Sequence, residues 1–108
     1  MGKRRPRSPA PSGPIGTLHT ALVDDERDLH DLTAAEATAQ LEHFLLGWSA
    51  RKSGAVVRVI TGRGNRSPDG PVLRPLVREL LAGRLAPLVE DYVVEAGGGA
   101  YLIRVRGR

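Results

Sequence analysis

The chain contains no cysteine. That excludes a disulfide framework and any thiolate metal site. No apolar run approaches the roughly 20 residues of a membrane span, so no membrane partner is expected. The first residues, MGKRRPRSPAPSGP, are basic but lead into no apolar stretch, which does not fit a secretory signal. Pro6 occupies the position where a myristoylation motif has serine or threonine. The expected location is the cytoplasm. Aromatic residues number four, Phe44, Trp48, Tyr92 and Tyr101, so base stacking of the kind used by single-strand binders is poorly supplied. Lysine is nearly absent as well. It provides 2 of the 16 basic residues, and arginine carries the positive charge.

That charge is unevenly placed. Residues 1–17 hold Lys3, Arg4, Arg5 and Arg7 and no acid, which accounts for the whole net charge of +4. Residues 20–50 carry seven acids against Arg27, whereas residues 51–84 carry eight basic groups against Asp69 and Glu79. A basic tail followed by a basic central segment suits a polyanionic partner bound through counterion release. A GC-rich genome would also favour arginine over lysine and supply a solvated extension of this kind.

Three regions are expected. Residues 1–16, rich in Pro, Gly, Ser and Arg, form a disordered basic tail. Residues 17–25 form a lead-in segment, and the mildly apolar stretch Ile15 to Val23 is able to drape over the domain. Residues 26–108 form the folded domain. A short strand is expected over Arg27–Leu32. Thr33-Ala34-Ala35-Glu36 is a capping box that starts a helix. Ala37, Leu41, Phe44, Leu45 and Trp48 then fall on one helical stripe. Ala55–Ile60 is β-rich. A second helix carries Leu73, Leu76, Val77, Leu80 and Leu81, with Pro75 in its first turn, where proline costs least. Leu88–Glu95 and Ala100–Arg106 are strands joined by a Gly97–Gly99 hairpin. The order β-α-β-α-β-β predicts an α/β two-layer sandwich. Its four-stranded mixed sheet has two parallel first strands, with both helices on one face.

Parallel strands end at the same sheet edge, and ligands in open α/β sheets gather outside those ends. Topology therefore brings Asp28 and His30, at the end of the first strand, to the stretch from Thr61 to Asn65 at the end of the second. A carboxylate beside an imidazole can raise its pKa, fix its tautomer or share a metal with it. Such a pair can equally cap a strand end. Gly62 and Gly64 let the backbone approach an anion, and Arg63 offers a bidentate fork for phosphate. Arg66 and Arg74 extend the patch. A glycine-rich connector with solvated arginines has the same composition. His19 and His43 carry less: one lies in the lead-in, the other on an exposed helix face. On the last strand Tyr101, Ile103 and Val105 share one face, while Leu102, Arg104 and Arg106 share the other. Arg58 joins the second set, so the uncovered face is either a basic sheet able to track a nucleic-acid backbone or, slightly favoured, an ordinary solvated face.

These residues resemble a known family. Asp28-Leu29-His30-Asp31-Leu32-Thr33, Val59-Ile60-Thr61-Gly62-Arg63-Gly64-Asn65 and the late glycines Gly97–Gly99 look like the Smr (small MutS-related) domain, in its Thr-Gly-x-Gly branch and as a stand-alone form. The resemblance covers about residues 26–106. It implies a fold like the C-terminal domain of bacterial translation initiation factor three. It also implies nucleic-acid binding and, in several members, endonuclease activity on structured DNA or RNA, in some cases on ribosomes. Arg27 stands where the family usually has an apolar residue, and Asp31 where it usually has glycine; Asp31 adds negative charge beside the expected phosphate site, which would weaken substrate binding or contribute a metal ligand.

The expected catalytic residues are Asp28 and His30, with Asp28 orienting His30, activating water or holding Mg²⁺. The expected phosphate-binding residues are Thr61, Gly62, Arg63, Gly64, Asn65, Arg66 and Arg74. DNA or RNA is the expected partner, with the ribosome a further candidate. The alternative is a non-catalytic module that docks on RNA, ribosome or protein.

Overall fold

A computed structural model describes residue 18, residues 20–62 and residues 72–107. The basic tail, His19, and residues 63–71, which include Arg63, Gly64, Asn65 and Arg66, lie outside the described residues. Strand β1 is Asp25–Asp28, helix α1 is Ala34–Arg51 and strand β2 is Val56–Ile60. Helix α2 is Leu73–Ala82, and a 3₁₀ turn at Ala86–Leu88 leads into strand β3, Val89–Val94, and strand β4, Ala100–Val105. The sheet order is β1-β2-β4-β3. Strands β1 and β2 are parallel, and the other two pairings are antiparallel. This is the expected mixed four-stranded sheet with two helices.

The first strand departs from its expected bounds. It begins two residues before Arg27 and ends at Asp28, four residues short of Leu32. The expectation followed the apolar Leu29 and Leu32, but β1 consists of four exposed, charged residues. Its register with Val57–Ile60 selects it, Asp25 opposite Val57 and Asp28 opposite Ile60. Leu29 still donates its N–H to the Ile60 carbonyl at 2.7 Å. The chain then turns: the Asp28 carboxylate accepts the His30 N–H at 3.0 Å, and Asp31 takes a left-handed φ of 75°. A side chain bonding the backbone two residues on is a standard way to leave a strand.

Helix α1 starts as its capping box requires. The Glu36 N–H donates to Thr33 Oγ1 at 3.1 Å, and the Thr33 N–H donates to Glu36 Oε1 at 3.0 Å. Ala37, Leu41, Phe44 and Leu45 are buried. They meet Val77, Leu80 and Leu81 of α2 and Val57, Val59, Tyr101, Ile103 and Val105 of the sheet in one core. Both helices therefore cover one face. Full burial of side chains such as Leu41, Leu45 or Ile103 contributes about 1.5–3 kcal/mol each. Pro75 lies in the first turn of α2, and the hairpin glycines Gly97 and Gly98 take φ of 94° and 76°.

The opposite face of the sheet carries a smaller cluster. Leu18, fully buried, packs with Val56, Val93 and Leu102, and Ala21 and Val23 lie against them. The lead-in thus covers part of the face the helices leave open. The rest of that face is not simply basic. Arg58 Nη1 lies 3.1 Å from Glu26, and Arg58 Nη2 lies 2.8 Å from Glu95. Arg106 turns a guanidinium N–H onto the Val89 carbonyl at 3.2 Å. Of the two readings of that face, the pairing of Arg58 with two glutamates from neighbouring segments favours the ordinary solvated one.

Arg27, where an apolar side chain is usual, lays its guanidinium 4.9 Å from the centre of the Phe44 ring. Its stem and cation–π contact cover the aromatic surface an apolar residue would cover.

Candidate nucleic-acid interface

The parallel register sets the ends of β1 and β2 side by side. Asp28 faces Ile60 across the ladder, so His30 arrives next to Thr61 and Gly62. The contact is close: a Cβ placed on Gly62 would lie 3.5 Å from His30 Cβ. Alternation along β1 sends Asp25 and Arg27 toward α1, where they meet Trp48 and Phe44. It sends Glu26 to the other face, onto Arg58. Asp28 follows Glu26 to that face, and His30 lies just past the strand end, in the turn.

His30 is held at both ring nitrogens. Nδ1 lies 2.5 Å from Asp28 Oδ1, and Nε2 lies 3.1 Å from Asp31 Oδ2. The hydrogen bond to Asp28 and then the charges of Asp28 and Asp31 raise the imidazole above its ordinary value of 6.5, against a small opposing effect of desolvation. At Asp28 partial burial pushes the carboxyl up. The bonds from the His30 ring and backbone N–H, with the His30 charge, outweigh it and leave the carboxyl below its ordinary value of 3.8. The couple therefore favours imidazolium beside carboxylate, the state that can give up a proton. The Asp28 carboxylate spends one oxygen on the ring and backbone of His30, and Asp31 sits at the opposite edge of that ring. Among the described residues no group of three or more His, Asp or Glu converges to hold a metal.

The second motif is anchored from the far side. The N–H groups of Thr61 and Gly62 both donate to the Gly99 carbonyl at 3.0 Å. Thr61 is buried, and its hydroxyl donates to the Gly62 carbonyl at 3.0 Å. These two residues therefore shape the loop and leave no free donor of their own. Gly62 takes φ of 73°, a left-handed backbone that glycine adopts without steric cost. Gly62→Ala is expected to lower stability by about 1–2 kcal/mol, because the left-handed backbone disfavours a Cβ. The 3.5 Å approach is ordinary contact, so a shift in urea midpoint without loss of the fold is the outcome to look for.

Arg74 joins the same edge. Its guanidinium lies over the hairpin, where a Cβ on Gly98 would meet it at 3.3 Å. The Tyr101 hydroxyl donates to the Arg74 carbonyl at 3.1 Å. Burial, ahead of the opposing charges of Arg78 and Arg74, pushes that hydroxyl up and keeps it a neutral donor. The sheet edge thus gathers Asp28, His30, Thr61, Gly62 and Arg74, with the glycine hairpin beneath. Arg63, Gly64, Asn65 and Arg66 continue directly from Gly62 in the chain but lie outside the described residues. Sequence reasoning missed the reach of Asp31 to His30. The available signal was an aspartate at a position where the family usually has glycine, which implies a left-handed backbone.

The Smr domain family profile matches residues 27–106. The chain belongs to the Smr domain family. The match takes in both strand ends, both helices and the final hairpin, and Leu18 and the lead-in lie before it. Smr domains are known for nucleic-acid binding and nicking, and family membership supports nucleic-acid binding in general for this chain. No curated protein sequence matches it. Among the described residues, no helix is long and apolar enough to cross a membrane.

Proposed function

We propose that this Smr domain is an endonuclease that hydrolyses the phosphodiester backbone of structured DNA or RNA at the shared end of β1 and β2. The observation that carries the reading is the Asp28–His30 couple, packed against Gly62, the residue directly before Arg63 and Gly64 in the chain. His30 acts as general acid and protonates the leaving oxygen as a water attacks phosphorus and gives its proton to solvent. Asp28 holds its Nδ1 and stabilises the imidazolium. Arg63, with the Gly64 N–H, carries the scissile phosphate and the charge that develops on it. The Gly62 N–H is already bonded to Gly99, so Gly62 contributes close approach and not a donor. Arg74 and Arg66 hold flanking phosphates. The location is the cytoplasm.

The test is a cutting assay on branched DNA and on structured RNA with Asp28→Ala and Arg63→Ala. Both variants should lose cutting, and intact cutting by both would remove the site. Binding without turnover, on RNA or the ribosome, is the second reading. It is favoured by one feature, the Asp31 carboxylate at Nε2, the atom the acid would present. On that reading deletion of residues 1–14 weakens affinity strongly and flattens its salt dependence. For the enzyme, cutting persists after the same deletion.

A further inference from the structure

Of the two ring nitrogens of His30, Nδ1 is taken by Asp28. Nε2 is the atom left for a phosphate oxygen, and Asp31 Oδ2 stands 3.1 Å from it. Three features make that contact displaceable. The Asp31 side chain is 87% exposed, and exposed ion pairs hold weakly. Among the described residues Asp31 has no second ionic partner. Its backbone sits at φ 75°, a conformation that glycine adopts freely and that costs aspartate or asparagine a little. A glycine there would remove both the strain and the charge. Asp31 thus gives up backbone stability to place a carboxylate where an anion would sit.

We propose that Asp31 is a latch on His30. Its carboxylate holds Nε2 in the free protein and must swing away before a phosphate can take that position. It thereby sets how tightly the site accepts anions. The proposal rests on the reading of His30 as the phosphate-facing group, and it adds a positioning residue that discriminates against weakly held anions. A phosphodiester held by several arginines would displace the latch; a lone small anion would displace it poorly. Among the described residues the charged groups that face His30 are Asp28 and Asp31; Glu26, the next residue on that face of β1, is engaged by Arg58.

The probe is inorganic phosphate, titrated into the wild-type chain and into Asp31→Asn and Asp31→Gly, with the His30 ring nitrogens followed by NMR. Asparagine keeps the size and tolerates the left-handed backbone, so it isolates the charge. Both variants are expected to bind phosphate about three- to ten-fold more tightly, the effect of one unit charge about 5 Å from the anion in a water-like dielectric. The His30 titration should move down toward its ordinary value in both, and Asp31→Gly should also melt at higher temperature. Equal phosphate affinity in wild type and Asp31→Asn overturns the latch, as does an absent His30 response to phosphate in all three proteins. The nuclease reading is judged separately, on branched DNA and structured RNA. Failure to cut or bind either, with the phosphate difference intact, rejects that reading and supports the latch.

Discussion

His30→Ala is expected to lower cutting of structured nucleic acid by about 10²–10⁴-fold, the usual contribution of a positioned acid or base. The ring is exposed and makes no core contact, so its loss should leave the fold intact. The pH profile distinguishes acid from base. Asp28 and Asp31 hold the imidazole above 6.5, so the protonated ring persists further into the neutral range than a free histidine would. An acid then works below the raised value, and cutting falls as pH rises through it. A base would give the reverse limb, and a rate that climbs through the His30 titration would sink the assignment. Linkage gives a second reading of the same couple. The raised histidine contributes stability that is present below 6.5 and lost as pH rises through its folded value. The depressed Asp28 contributes stability that is present above 3.8 and lost as pH falls through its folded value. Because both groups are largely exposed, both effects on the urea midpoint should be small.

Leu18→Ala is expected to cost about 2–4 kcal/mol, the lower part of the range for a large-to-small change at a buried site. A domain of this size has about 5–15 kcal/mol in all, so the loss is a large share. Leu18 has no exposed surface, and its neighbours Val56, Val93 and Leu102 belong to three different strands. Truncation would leave a gap over the one face the helices do not cover. A loss below about 0.5 kcal/mol, the size of an ordinary surface substitution, would mean that the lead-in only rests on the sheet. The outcome matters because Leu18 lies before the Smr match. A variant trimmed to the family boundary would lose the only part of the described chain that shields Val56, Val93 and Leu102.

The elements that could be read from the sequence were those whose signals are local. Thr33 and Glu36 fix the start of α1 through two mutual bonds, and four residues bring both together. The apolar stripes of α1 and α2 name the face each helix buries, and the alternation of Tyr101, Ile103 and Val105 against Leu102 names the two faces of β4. The first strand was misplaced because its pairing is not local. Four charged residues become a strand only because β2 offers them a parallel ladder, while the apolar Leu29 and Leu32 lie beyond its end. The partners of Arg58 were hidden for the same reason. Glu26 and Glu95 reach it from 32 and 37 residues away, a distance at which charge patterning along the chain says nothing. At the site, topology alone brought Asp28 and His30 to Gly62. What the sequence did not disclose was where the hydrogen-bond donors go. The N–H groups of Thr61 and Gly62 point into the hairpin at Gly99, and no motif records that direction. Asp31 could have been anticipated in part, since a position that usually holds glycine implies a left-handed backbone. The distance from its carboxylate to Nε2 is a property of the turn in three dimensions.

The two rims of the sheet have a consequence for solubility. β1 is an outer strand whose residues are Asp25, Glu26, Arg27 and Asp28, all exposed. β3, the other outer strand, breaks its register between Val89 and Asp91 with the exposed Glu90 between them. A second copy adding itself edge-to-edge would have to strip water from four successive charges at one rim or follow a bulge at the other. Neither rim offers a flat template, which protects the chain against fibrous stacking even when it is crowded along a polyanion.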